Sequence, residues 1–105
     1  MITAVVTAPL PQGFTYEKYA ANVSKIADGF RTVPGLIRKN FLYSEEQRIG
    51  GGIYLWENQA AAEACYAGIW RDNFRNIFGV DPQIDFYQTP IVVDNRVGVF
   101  VSVAV

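Results

Sequence analysis

Histidine is absent from this chain of 105 residues. That removes at once the commonest general base, the commonest metal ligand and the axial imidazole of a haem site. Cysteine occurs once, as Cys65, so neither a disulfide nor a zinc cluster can form within the chain. The only serines are Ser24, Ser44 and Ser102. Without histidine, none of them, nor Cys65, can be activated in a Ser-His-Asp or Cys-His arrangement. An excess of either charge is missing too: nine Lys and Arg face ten Asp and Glu, a net charge of −1. Such a balance gives no general attraction to nucleic acid or to an anionic membrane. No apolar run approaches the roughly 20 residues of a membrane span. The first residues lack the basic leader of an export signal before Pro9 and Pro11. Together with the lone thiol, this leads us to expect a cytoplasmic protein. The chemistry left is that of phenol, indole, amide, amine, guanidinium and carboxylate groups, with no haem iron or tightly bound zinc expected.

What is present is apolar and aromatic. Half of the residues are hydrophobic and 18% are charged, which suits a single domain over residues 1–105 whose core needs no staple. Ile2 to Ala8 is rich in β-branched residues and reads as a strand. After a loop set by Pro9, Pro11 and Gly13, Thr15 stands where an N-cap belongs, with Glu17 in the first turn. Tyr16, Tyr19, Val23, Ile26, Ala27 and Phe30 then recur at helical spacing, and Pro34-Gly35 ends that helix. Leu36 to Tyr43 and Gly51 to Glu57 read as a hairpin of two strands. Asn58 caps a second helix that Gly68 interrupts and Gly79 ends. Gln83 to Val93 is expected as a fourth strand. Asp94-Asn95 is expected as a turn, and residues 96–105 as a further strand.

The order is βαββαβ plus a C-terminal strand, an α+β, ferredoxin-like arrangement. Helices on one side of such a sheet leave its other face uncovered. No third helix or second sheet is evident to cover it, and the strands are apolar on both parities. A second copy packed sheet to sheet would bury that face, so we expect a homodimer. The terminal run of valines from Val97 is expected to reach a partner subunit as an arm, or else to fold back as a local hairpin.

Several residues carry candidate chemistry. Tyr54 and Trp56 share one face of their strand and join large apolar bodies to polar tips, suited either to an aromatic ligand or to a core. Tyr66, Trp70 and Phe74 follow at spacings of four; a continuous helix would make them one aromatic stripe, and a break at Gly68 would turn Trp70 away. Lys39 shares a face with Phe41, where an amine could hold an enolate or phenolate. Arg38 and Asn40 occupy the opposite face and compete for that role. Cys65 sits among alanines with no cationic neighbour evident, which favours an inert thiol. Gly50-Gly51-Gly52 lacks the Lys and Ser or Thr of a phosphate loop and points to a bulge or a close backbone approach.

The stretches Val33-Pro34-Gly35-Leu36-Ile37-Arg38-Lys39 and Gly51-Gly52-Ile53-Tyr54-Leu55-Trp56-Glu57 resemble the YdhR-like monooxygenases, in the antibiotic-biosynthesis-monooxygenase group of the dimeric α+β barrels. Trp70, Gly79-Val80-Asp81-Pro82 and Ile91-Val92-Val93-Asp94-Asn95 are similar in kind and order. The resemblance implies a dimer whose sheets meet as a barrel, with a pocket between sheet and helices in each subunit. It implies oxidation of electron-rich aromatic compounds by O2 without metal or flavin. Relatives that degrade haem use an Asn, a Trp near the end of the third strand and a His in the next helix. Trp56 matches the Trp, but that helix carries Cys65 and Tyr66, which points away from haem. Two functions are therefore expected: a cofactor-independent monooxygenase for a small aromatic or polyphenolic substrate, or a non-catalytic binding protein for a small apolar or aromatic metabolite. In either, Lys39, or Asn40 with Arg38, would meet the ligand oxygen. Tyr54, Trp56, Phe41, Tyr66, Trp70 and Phe74 would hold the ring.

Overall fold

In this computed structural model, which describes residues 1–101, β1 (Ile2–Pro9) runs between two antiparallel neighbours. β3 (Ile49–Trp56) lies on one side and β4 (Gln83–Gln88) on the other, while β2 (Leu36–Ser44) flanks β3 as an outer strand. The order β2-β3-β1-β4 is the ferredoxin-like one, as expected. The expected hairpin of β2 with β3 is present, with its register irregularity between Leu36 and Arg38.

The two helical layers begin where local chemistry puts them. The Thr15 hydroxyl accepts from the Lys18 N–H at 3.2 Å and starts α1 (Tyr16–Ile26). Asn58 accepts from the Ala61 N–H at 2.9 Å and starts α2 (Gln59–Tyr66). α3 (Ile69–Phe78) follows the break at Gly68 and closes on Gly79, whose φ of 76° is the left-handed conformation that favours glycine. All three cover one face of the sheet. Ala4, Val6 and Ala8 of β1 and Tyr54 and Trp56 of β3 are buried beneath them.

The structure departs from three expectations. The segment from Gln83 to Val93 is two strands, β4 and β5 (Ile91–Asp94), because Pro90 has no N–H for the ladder and the chain leaves the sheet there. A second sheet exists: β5 pairs with β6 (Gly98–Val101) as an antiparallel hairpin. It lies at the uncovered face, where Arg38 bonds Asp94 at 3.0 Å and Val92 and Val93 line a recess with Leu42, Ile53 and Leu55. The local hairpin is thus what residues 91–101 form, and the expected strand over residues 102–105 lies outside the described residues. Finally, the first helix tightens to a 3-10 turn at Ala27–Thr32, and Tyr16 is exposed rather than part of the apolar face. None of the described helices is long and apolar enough to cross a membrane.

Gly51 shows why three glycines follow one another in β3. A Cβ there, at a φ of 149°, would lie 1.9 Å from the Val6 carbonyl oxygen. The close approach expected from the glycine run is real. Gly51→Ala should destabilise the fold by at least about 3 kcal/mol, since relief requires β1 and β3 to separate. Denaturant unfolding measures this; a loss under about 1 kcal/mol would show that the strands yield easily.

Candidate active site

Alternation along β2 sends Lys39, Phe41 and Tyr43 to the helix side, in register with Tyr54, Gly52 and Gly50 of β3. Arg38 and Asn40 go to the other side. There they line the recess under the β5–β6 hairpin, and Arg38 is engaged with Asp94. The structure therefore separates the two candidates for the oxyanion role by the thickness of the sheet.

On the helix side, sheet and helices enclose a cavity of about 740 Å³. Lys39, Phe41 and Tyr54 form its sheet wall, Val23 of α1 and Phe30 of the 3-10 turn one helical side, and Trp70 and Phe74 of α3 the other. Gly52 leaves the room that the Lys39 stem occupies: a Cβ there would stand 3.2 Å from both Lys39 Cε and Tyr54 Cε1. Of the expected ring-holding residues, Phe41, Tyr54, Trp70 and Phe74 come together in this wall. Trp56 and Tyr66 do not. They are buried behind it, with the Trp56 indole donating to the Tyr66 hydroxyl at 3.1 Å. The break at Gly68 does not turn Trp70 away, because its ring stays 4.5 Å from Tyr66 and 5.3 Å from Phe74, centre to centre.

Among the described residues, Lys39 is the only cationic one in the cavity wall. Its Nζ stands over three rings, 3.4 Å from the centre of Phe30, 3.9 Å from Phe41 and 4.4 Å from Tyr54. It has no ion pair among the described residues. Burial removes water from the ammonium and pulls its pKa down to about 7, the Cys65 thiol opposing weakly. The ring faces stabilise the charged form by cation–π attraction and keep it accessible. Cys65 also faces the cavity, so the cationic neighbour missing from the sequence reading is present. Burial nevertheless raises the thiol pKa, outweighing the pull of Lys39, which favours the protonated thiol over the thiolate. Burial likewise raises the pKa of Tyr54 and of Tyr66.

Sequence reasoning passed over Asn22, Asn73 and Asn76, which supply amides to the same wall. The signal was present for two of them: Asn73 and Asn76 continue from Trp70 in steps of three. Among the described residues, no three of His, Cys, Asp and Glu gather as a metal-ligand set.

A sheet of this order with its helices on one face is the ferredoxin-like α+β arrangement. The chain belongs to the family described as "Putative mono-oxygenase ydhR", which matches residues 9–87. No curated protein matches it. Among solved structures it is similar to the monooxygenase of the gene ActVA-Orf6 of Streptomyces coelicolor in complex with nanaomycin D. The TM-score is 0.66 and the identity 19%, over 84% of this chain and 86% of that one. At that identity the likeness shows the fold alone.

Burial of Lys39 has a pH-dependent consequence. Below about pH 7 it is an ammonium in both folded and unfolded chains, and its burial cost is fully present. Between there and its ordinary value of 10.5 the folded chain sheds the proton first, so stability rises with pH. Lys39→Met, which keeps the stem, should be more stable than the wild type at pH 6 by about 1 kcal/mol or more, and the margin should fade towards pH 10. Urea unfolding at the two pH values decides it; equal margins would mean that the amine is not depressed.

Proposed function

We propose that the protein is a cofactor-independent monooxygenase for a small aromatic or polyphenolic substrate held in the cavity between sheet and helices. The observation that carries this reading is Lys39: an amine without a carboxylate partner, ringed by aromatic faces inside an apolar space. Family membership supports the reaction class. The structural neighbour binds nanaomycin D, which supports a ligand in the corresponding space.

The chemistry asks little of the protein. The neutral amine takes a proton from an activated CH2 or a phenolic OH of the substrate and becomes the counter-ion of the resulting anion. The anion passes one electron to O2, the two radicals join through a C–O bond, and the peroxide takes up the proton. Loss of water from an oxidised CH2 leaves a carbonyl, so that CH2 and O2 yield C=O and H2O. Tyr54, Trp70 and Phe74 hold the ring, and the apolar wall keeps water from the anion. Oxygen uptake with quinols or anthrones should show kcat/KM rising through about pH 7, as Lys39 loses its proton. Lys39→Met should lower kcat/KM by roughly a hundredfold. Tight binding of such compounds with no oxygen uptake would favour the metabolite-binding protein instead.

The reading includes a homodimer formed through the sheet face opposite the helices. Ile53 and Tyr87 on that face and Ile91 and Val93 on the hairpin remain exposed in the single chain. Their burial against a second copy would remove that apolar area from solvent. Sedimentation at micromolar concentration should give about twice the chain mass. A monomer would leave that face without a function.

A further inference from the structure

The hydroxyl of Tyr54 has one hydrogen-bond partner among the described residues, the indole nitrogen of Trp70 at 3.0 Å. An indole N–H can only donate. Tyr54 Oη is therefore the acceptor of that bond, and its own proton is left over. The residue is 2% exposed and forms part of the cavity wall, so bulk water does not satisfy it. Tyr19 shows the contrast: its hydroxyl donates to the Gly51 carbonyl at 2.9 Å and accepts from the Gly51 N–H at 3.3 Å, which completes it. Tyr66 also accepts from an indole, that of Trp56, but it does not reach the cavity.

We infer that Tyr54 is an obligate hydrogen-bond donor to the ligand, with Trp70 as the positioning residue that forces this polarity, so that the ligand presents an acceptor oxygen at this point: a carbonyl, phenolate or enolate oxygen. The inference rests on the cavity being the ligand site, as proposed above. Lys39 stands over the Tyr54 ring face, so amine and hydroxyl lie within reach of one ligand group. Both groups can donate a hydrogen bond to it, and among the described residues no carboxylate in the cavity wall competes for them. A neutral ligand hydroxyl placed there gives its proton to the free Lys39 amine, and the resulting oxygen anion accepts from the ammonium and from the Tyr54 hydroxyl. The high pKa of Tyr54 keeps it a donor throughout the neutral range.

The test uses 4-nitrophenol, whose anion absorbs in the visible, and 4-nitroanisole, which has the same ring and no ionisable oxygen. Bound to the wild type, 4-nitrophenol should ionise at a pH lower than in water. Tyr54→Phe should weaken binding of the anion roughly tenfold and return the ionisation towards that of the free phenol. Trp70→Phe frees the Tyr54 hydroxyl to turn, and should move the ionisation part of the way. In Tyr54→Phe, which keeps the ring, 4-nitroanisole should lose far less affinity than the anion, so the ratio of the two affinities reads the hydroxyl apart from the packing. An unchanged ionisation in Tyr54→Phe, or no binding of the anion by the wild type, overturns the inference. Because the probe needs no O2 chemistry, its ionisation can hold while oxygen uptake fails, which would remove only the monooxygenase reading.

Discussion

At Gly51 the backbone of β3 passes so near to Val6 of β1 that no side chain can stand there. Its glycine neighbours extend the same constraint to the helix side. A Cβ at Gly50 would be 2.9 Å from both Leu10 and Phe78, and one at Gly52 would press on Lys39 and Tyr54. A bare stretch in an interior strand lets Tyr19 reach down to bond the Gly51 peptide. It lets Phe78 settle on the sheet at one end and leaves open space at the other. The cavity is the part of that bare floor that no ring fills.

Into this space the fold places one amine and surrounds it with phenyl and phenol rings. Burying an amine costs free energy unless the proton leaves or a counter-charge arrives. Among the described residues, the cavity wall supplies no carboxylate. The ring faces offset part of the cost, and the rest is held as a lowered proton affinity. An acidic ligand is the natural counter-charge, since transfer of its proton relieves both partners. By contrast, the Arg31–Asp28 pair stands in solvent and contributes little.

The two faces of β2 have different fates for a geometric reason. Successive residues of a strand point to opposite sides. Lys39 therefore enters the cavity while Arg38 and Asn40 meet the β5–β6 hairpin. Arg38 ties that hairpin down through Asp94.

Much of the fold was legible in local signals. Thr15 and Asn58 as caps, the stops at Pro34-Gly35 and Gly79, the glycine run and the alternation of β2 and β3 each depend on a few neighbouring residues. The sequence by itself determined the βαββαβ order of the main sheet and its helices, the lack of imidazole, and the sharing of one strand face by Lys39 and Phe41. It did not determine which face was inward, because both parities of β2 carry apolar and polar residues. Only tertiary structure decided that, through the register that sets Lys39 beside Tyr54. It also decided that Trp70 bonds Tyr54 while Trp56 turns to Tyr66. It decided, too, that Pro90 ends β4 and releases a hairpin to the far side of the sheet. Those outcomes follow from contacts between residues far apart in the chain, where packing chooses among local conformations of nearly equal energy.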